Sequence, residues 1–436
     1  GRPADRRRRG GREVLRKILA TVGTRYVIAA LNLALMLINS RVLGRHDMGV
    51  AGVVFASANV AVMFASVLCG NTIVYFMPSK RLSVVVSAAY VWALVGSGVA
   101  CGAMTAVGML PTGLGGVVFG LAVLLSLVNV HLRVLLGWDR IRAFNAVFLV
   151  QGAGLFFVLL GLYYVAGLKN LGGYMRGLFL TNLAAWAVSL VILLRSVKWP
   201  KGRMEVKAWL RDTSEMFRYG LWSSVDNLAE NLSARLNYFF LQRFGGYGSV
   251  GLLDVGTRVS ESLWHVSHGV SFIAYSEITR ATEAERRRLT AVRLLGPTVA
   301  VLAVAMGAVL CIPEWVYTEV LFTREFAGIR DVITGLSVGI VAFGGNRILS
   351  HYFIGTGRVR VSAACSLVGL VVLCVAAAVL VPRWGVTGAA VASSVAYSGM
   401  LTFSVVMFLR VTGTKAVELL PNPVSIVRQI RARRQG

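Results

Sequence analysis

Negative charge is scarce in this chain: 19 Asp and Glu stand against 45 Lys and Arg in 436 residues, a net charge of +26. Charged residues of both signs reach only 15%, hydrophobic residues reach 56%, and mean hydropathy is +0.70. A soluble domain carries about 25% charged residues, so that class is excluded. The 5 cysteines have neither paired nor metal-ligand spacing and lie within or at the edge of apolar runs. They read as small core residues rather than a disulfide framework or a zinc site. Proline is also rare inside apolar runs. Pro78, Pro111, Pro200, Pro313, Pro382, Pro421 and Pro423 fall between runs or at their ends, and only Pro297 stands within one. No Gly-x-x-x-x-Gly-Lys-Ser/Thr, His-Glu-x-x-His or Cys-x-x-Cys pattern occurs. No cofactor is expected, and an ATP-driven pump would need a separate subunit.

The chain has instead a succession of apolar runs of bilayer-crossing length. They predict twelve spans: 18–40, 50–69, 83–106, 114–136, 144–166, 174–194, 218–242, 250–275, 291–312, 330–354, 361–381 and 386–409. The fold class is therefore all-α, a polytopic membrane protein. The first run is a full span without a small-residue cleavage site, so it reads as a span and not as a signal peptide. Lys and Arg gather on alternate loops: at Arg6–Arg9, in the 195–218 segment, at Arg286–Arg288 and from Arg428 to Arg434. Basic residues accumulate on cytoplasmic loops, which puts both termini inside the cell and assigns the positive charge to topology and anionic lipid headgroups, not to nucleic acid. The polar stretch 195–217 divides the map into a first lobe at 18–194 and a second at 218–410, with basic tails at 1–17 and 411–436. Six spans on each side suggest an internally repeated transporter. Arg41-Val-Leu-Gly44 with Gly49 is echoed by Gln242-Arg-Phe-Gly245 with Gly251, in a register that needs one inserted residue.

Ionisable groups at the bilayer centre cost roughly 2.5–3.5 kcal/mol each on insertion scales, so they face the bundle interior or a watery cavity and mark a pathway. The eighth span carries Asp254, Arg258, Glu261, His265 and His268 at helical spacing, and the seventh carries Asp226, Asn227, Glu230, Asn231, Ser233, Arg235 and Asn237. Adjacent in sequence, the two spans make a hairpin across which Asp226 or Glu230 can pair with Arg258, and Arg235 with Asp254 or Glu261. Arg25, Asn32 and Asn39 share one stripe of the first span; Gln151 lies in the fifth; Asn346, Arg347, Ser350 and His351 lie in the tenth. His131 and Arg133 end the fourth span near the cytoplasmic boundary and read as structural. Buried pairing without transport is the alternative for all the others. His265 and His268 are candidate proton carriers.

Asn39-Ser-Arg-Val-Leu-Gly44 with Asp47-Met-Gly49, then Phe353-Ile-Gly-Thr-Gly-Arg358 and Val381-Pro-Arg-Trp-Gly385-Val-Thr-Gly388, resemble the pattern of Wzx-type O-antigen and exopolysaccharide flippases. These are polysaccharide transporters of the multidrug/oligosaccharidyl-lipid/polysaccharide exporter superfamily, with a MATE-like fold. The resemblance implies two six-helix lobes around a central cavity and an undecaprenyl-pyrophosphate-linked glycan as cargo. It also implies a bacterial inner-membrane location, with a polysaccharide polymerase and a chain-length regulator as candidate partners; a monomer is the default expectation. The lipid II flippase of that superfamily has arginines in its first and eighth spans, and Arg25 and Arg258 are similarly placed. Its second-span arginine has no match, since Val50 to Leu68 contains no Arg or Lys. On this reading Arg25, Arg258, Arg235 and Arg347 attract the pyrophosphate, and Asn32, Asn227 and Asn231 meet sugar hydroxyls. Asp226, Glu230, Asp254, Glu261 and His265 are then the candidates for coupling to H+ or Na+. A multidrug exporter of the same fold and a membrane polymerase or ligase are the alternatives; the short 313–330 loop counts against the enzyme.

Overall fold

The computed structural model describes residues 3–196, 205–264, 278 and 283–414, with side chains from Val27 onward except at 222 and 223. Every regular element among them is helical. The first half contains α1 (Pro3–Cys69), α2 (Asn71–Phe76), α3 (Leu82–Ala106), α4 (Gly115–Gly137), α5 (Ile141–Leu160, closing in a π-helical turn at Gly161–Val165) and α6 (Leu171–Ser196). There follow α7 (Val206–Glu261), α8 (Ala284–Leu310), a π-helical turn at Val316–Leu321, a 3-10 turn at Arg324–Phe326, α9 (Ile329–Gly355) and α10 (Val359–Thr412).

Among the described residues, 8 helical stretches are long and apolar enough to cross a membrane, and the chain is an all-α, multi-pass membrane protein. Two of these stretches are double length, Val27–Phe76 and Val359–Thr412, and each contains two of the spans expected from sequence. Each joint is a single non-helical glycine at which two helices meet in a kink, without a connecting loop: Gly44 (φ 71°, ψ 178°) in α1 and Gly385 (φ 55°, ψ −124°) in α10. Pro382 lies inside α10, just before that break. The seventh expected span and the start of the eighth form α7, broken at Gly246 (φ 70°, ψ 176°). Its ionisable side chains keep it out of the apolar set. Backbone at positive φ with ψ near 180° is open essentially to glycine alone.

The chain divides into two compact units, Gly1–Val255 with Trp315–Ala327, and Gly256–Glu314 with Gly328–Gly436. The first unit thus continues past the 195–217 linker into α7. Its core joins α1, α3 and α4 through small and branched residues such as Ala65, Ala89, Ala93, Val128 and Val134. On α3 the opposite stripe, Val91, Leu94, Val95 and Val99, is exposed and apolar, as a lipid-facing surface requires. The second unit packs α9 on α10 at Gly335 and Gly339: the Ser394 hydroxyl donates to the Gly335 carbonyl (2.5 Å) and accepts from the Gly339 amide (3.1 Å). Small residues four apart let helices approach this closely in a membrane. Of the cysteines, Cys69, Cys101 and Cys365 are buried and Cys374 is half-buried, whereas Cys311 at the end of α8 is exposed.

Within the first unit, the breaks of α1 and α7 face one another. A Cβ on Gly49 would lie 1.7 Å from the Tyr247 carbonyl oxygen, and one on Gly251 would lie 2.0 Å from that of Arg45. Gly44 matches Gly246 in dihedral angles, and Gly49 matches Gly251 in this reciprocal contact; both pairs stand 202 positions apart. The internal repeat therefore needs no inserted residue, which corrects the register expected from the Gln242–Gly245 echo. The 316–326 turns close over the same joint. Arg41 donates to the Val320 carbonyl (2.5 Å), the Arg45 amide to Glu325 Oε2 (2.9 Å), and Arg45 Nε to the Gly248 carbonyl (2.8 Å).

Candidate functional site

The polar face expected on the seventh span is present on α7. Asn231 donates its amide to the Asn227 carbonyl (2.8 Å) and side-chain oxygen (2.5 Å), locking two amides together along the helix. One turn on, Arg235 donates to the Tyr238 hydroxyl (3.0 Å), which in turn donates to Asp254 Oδ1 (3.0 Å). Tyr238 and Asp254 are only 1% and 2% exposed, so a charge of each sign is tied through a buried phenol. Gly52 of α1 faces the carboxylate, a Cβ there standing 3.4 Å from Asp254 Cγ, an ordinary contact distance. The Arg235–Asp254 partnership anticipated from sequence is thus bridged by a tyrosine that the sequence pattern did not single out.

Towards the other end of α7 lies a cavity of about 160 Å³. Its polar wall comes from Asn59 and Asn71, from Asn129 and Arg133 of α4, and from Ser224 and Asn227 of α7. Two glycines build it. Gly70 breaks the chain between α1 and α2 (φ −100°, ψ −142°) and turns Asn71 into the wall. Gly220 lets α7 approach α1, since a Cβ there would lie 1.9 Å from the Val67 carbonyl oxygen. Arg133 Nη1 donates to Asn71 Oδ1 (2.9 Å), and among the described residues no carboxylate lines the cavity.

Position on α4 separates Arg133 from His131, two residues earlier, which both read as structural in the sequence. His131 is fully buried between Tyr90 and Ser189. The Ser189 hydroxyl donates to the Trp186 carbonyl, so it accepts from His131 Nδ1, and Nε2 accepts from the Tyr90 hydroxyl. His131 is a satisfied core residue, whereas Arg133 opens onto the cavity.

The other residues singled out from sequence are distributed as follows. Arg25 lies in α1, its side chain outside the described residues, and Asn32 is exposed on the same helix. Asp226 and Glu230 are half-buried on α7. Arg258 and Glu261, at the end of α7, and Arg347, on α9, belong to the second compact unit. The Arg347 guanidinium stands 5.3 Å over the Phe343 ring. Asn346 beside it accepts from Ser404 (2.6 Å) and is buried. His265 and His268 lie outside the described residues. Among the described residues, no three His, Cys, Asp or Glu side chains are grouped to hold a metal.

Residues 119–331 match the family model described as polysaccharide biosynthesis protein. A solved lipid II flippase MurJ, in an inward closed conformation, superposes with a TM-score of 0.68 at 12% identity, over 92% of this chain and 89% of that one. This is the MATE-like fold. An inward-facing multidrug resistance MATE family transporter of the MOP superfamily superposes with a TM-score of 0.62 at 14% identity, over 90% of this chain and 98% of that one. An outward-facing MATE transporter gives 0.58 at 14% identity, over 91% and 94%. No curated protein sequence matches the chain. The match to a polysaccharide biosynthesis model and the MATE-like fold are both what the resemblance read from the sequence implies.

Proposed function

We propose that the chain flips an undecaprenyl-pyrophosphate-linked oligosaccharide across the bacterial inner membrane by alternating access, with both termini cytoplasmic, as a transporter and not an enzyme. The observation that carries this reading is the cavity in which one guanidinium and a ring of amides and hydroxyls face a space without carboxylates. Amides and hydroxyls suit sugar hydroxyls, and guanidinium suits phosphate oxygens and stays charged when desolvated. The absence of a lining carboxylate tells against a cationic drug as cargo. Arg25, Arg258, Arg235 and Arg347 attract the pyrophosphate, while Asn32, Asn227 and Asn231 contact the glycan. Asp254, tied to Arg235 through Tyr238, is the centre of ion coupling to H+ or Na+, with Asp226, Glu230, Glu261 and His265 as further members. The chain acts as a monomer and hands its cargo to a polysaccharide polymerase and chain-length regulator. The test is glycan export in a host lacking its own flippase. The native chain restores surface glycan; lipid-linked oligosaccharide still confined to the inner leaflet with the native chain present would refute the reading.

A further inference from the structure

Among the described residues Arg133 is the only cation lining the cavity, and it has no carboxylate within ion-pair reach. Its partner is the neutral oxygen of Asn71, which uses one of five guanidinium N–H donors. A charged group on a membrane-embedded helix is normally paired or turned to a cavity. Here, among the described residues, no pairing carboxylate stands beside Arg133 and the cavity does. At about 160 Å³ the cavity has room for roughly five water volumes. That suits one phosphate with part of the adjoining sugar ring, the rest of an oligosaccharide lying outside the cavity.

We infer that this cavity is an entry subsite for the reducing end of the cargo, with a phosphate oxyanion on Arg133 and the adjoining sugar against Asn59, Asn129 and Asn227. The inference rests on the flippase reading and adds to it a site for the first contact. Three features give the direction of entry. Asn71 follows the second span, Arg133 ends the fourth and Ser224 begins the seventh, all at ends that the basic-loop pattern puts on the cytoplasmic side, where such cargo is made. The subsite reads only the part of the cargo that every lipid-diphosphate glycan shares, so it accepts different glycans through one chemistry. Asn71 fixes the guanidinium plane without neutralising it.

The full chain, in nanodiscs of phosphatidylcholine, is titrated with undecaprenyl diphosphate, with Arg133→Gln, Arg133→Lys and Asn71→Asp beside the native protein. Asn71→Asp is nearly isosteric and supplies the missing carboxylate, so it blocks the anion site without opening a hole. The subsite predicts at least tenfold weaker binding for Arg133→Gln and Asn71→Asp and a smaller loss for Arg133→Lys, all with native elution profiles. Native affinity in Asn71→Asp and Arg133→Gln, alongside restored glycan export by the native chain, would overturn the subsite and leave the flippase reading intact. No binding by the native chain and no export would overturn both. Nanodiscs containing phosphatidylglycerol test the source of the phosphate: unchanged affinity for undecaprenyl diphosphate supports cargo, and full competition assigns the site to membrane phospholipid instead.

Discussion

A methyl group on Gly49 has no space, because the Tyr247 carbonyl oxygen would stand 1.7 Å away, and Gly251 faces the Arg45 carbonyl at 2.0 Å in the same manner. Overpacking a membrane or soluble core costs roughly 1–3 kcal/mol, and with rigid backbone on both sides of this joint the upper end applies. Gly49→Ala and Gly251→Ala should each lower the thermal unfolding midpoint in detergent, whereas Gly102→Ala, which meets nothing within 4 Å, should not. Equal midpoints in all three would refute the joint. Tyr238→Phe keeps the ring beside Arg235 but removes one hydrogen-bond donor from buried Asp254. Losing a hydrogen bond to a charged group costs about 1.5–3 kcal/mol, which chemical denaturation should show as a lower midpoint at unchanged slope. At this scale the sequence was partly legible. Asp254 and Arg235 stood out because charge on an apolar helix is costly, but Tyr238 reads as one more hydrophobe. Arg133 looked like a snorkelling end because its position relative to the cavity depends on Gly70 and Gly220, whose effect on helix approach is a tertiary property.

Among the elements, α7 is the most informative, since it carries the bridged Arg235–Asp254 pair, one wall of the cavity and a polar N-terminal turn. That turn docks on the loop before α3: Lys80 Nζ donates to Asp212 (2.9 Å) and Glu215 (2.8 Å). Burial disfavours the Lys80 charge, but the hydrogen bonds to Glu215 and Asp212 outweigh it and hold its pKa above the ordinary 10.5. A raised lysine pKa stabilises the fold fully below 10.5 and loses that contribution as pH rises through the raised value. Thermal stability should therefore be insensitive to Lys80→Met at strongly alkaline pH and lower in the variant near neutrality; a deficit independent of pH would mean lost packing rather than lost pairing. Helix existence followed from hydropathy. Helix joints did not, because at Gly44 and Gly385 two helices meet directly at a kinked glycine where loops were expected. The repeat register of 202 positions is carried by identical residues, Arg41/Arg243, Gly44/Gly246 and Gly49/Gly251, but the neighbouring Gly245 offers a competing match, and only the shared dihedrals of Gly44 and Gly246 decide between them.

For the whole molecule, the apolar runs gave the membrane class, and the order of motifs gave the MATE-like resemblance; the cargo did not follow from either. Basic residues at Arg25, Arg258, Arg235 and Arg347 are the sequence's strongest hint of an anionic cargo; Arg133 joins them only through the structure. The extent of the first compact unit to Val255 was not legible, because compactness follows from which glycines permit close approach. Arg25→Gln and Arg258→Gln should each cut glycan export severalfold at matched membrane abundance while unfolding midpoints stay near native; full export in both would move the pyrophosphate site away from these arginines. The central claim is tested most directly with the purified chain in liposomes carrying a fluorescent undecaprenyl-pyrophosphate-linked oligosaccharide, read by an impermeant quencher added outside. Flipping by this chain predicts that the quenchable fraction rises beyond the share first present in the outer leaflet, and rises more slowly with Arg258→Gln. A quenchable fraction equal to that of protein-free liposomes would contradict it.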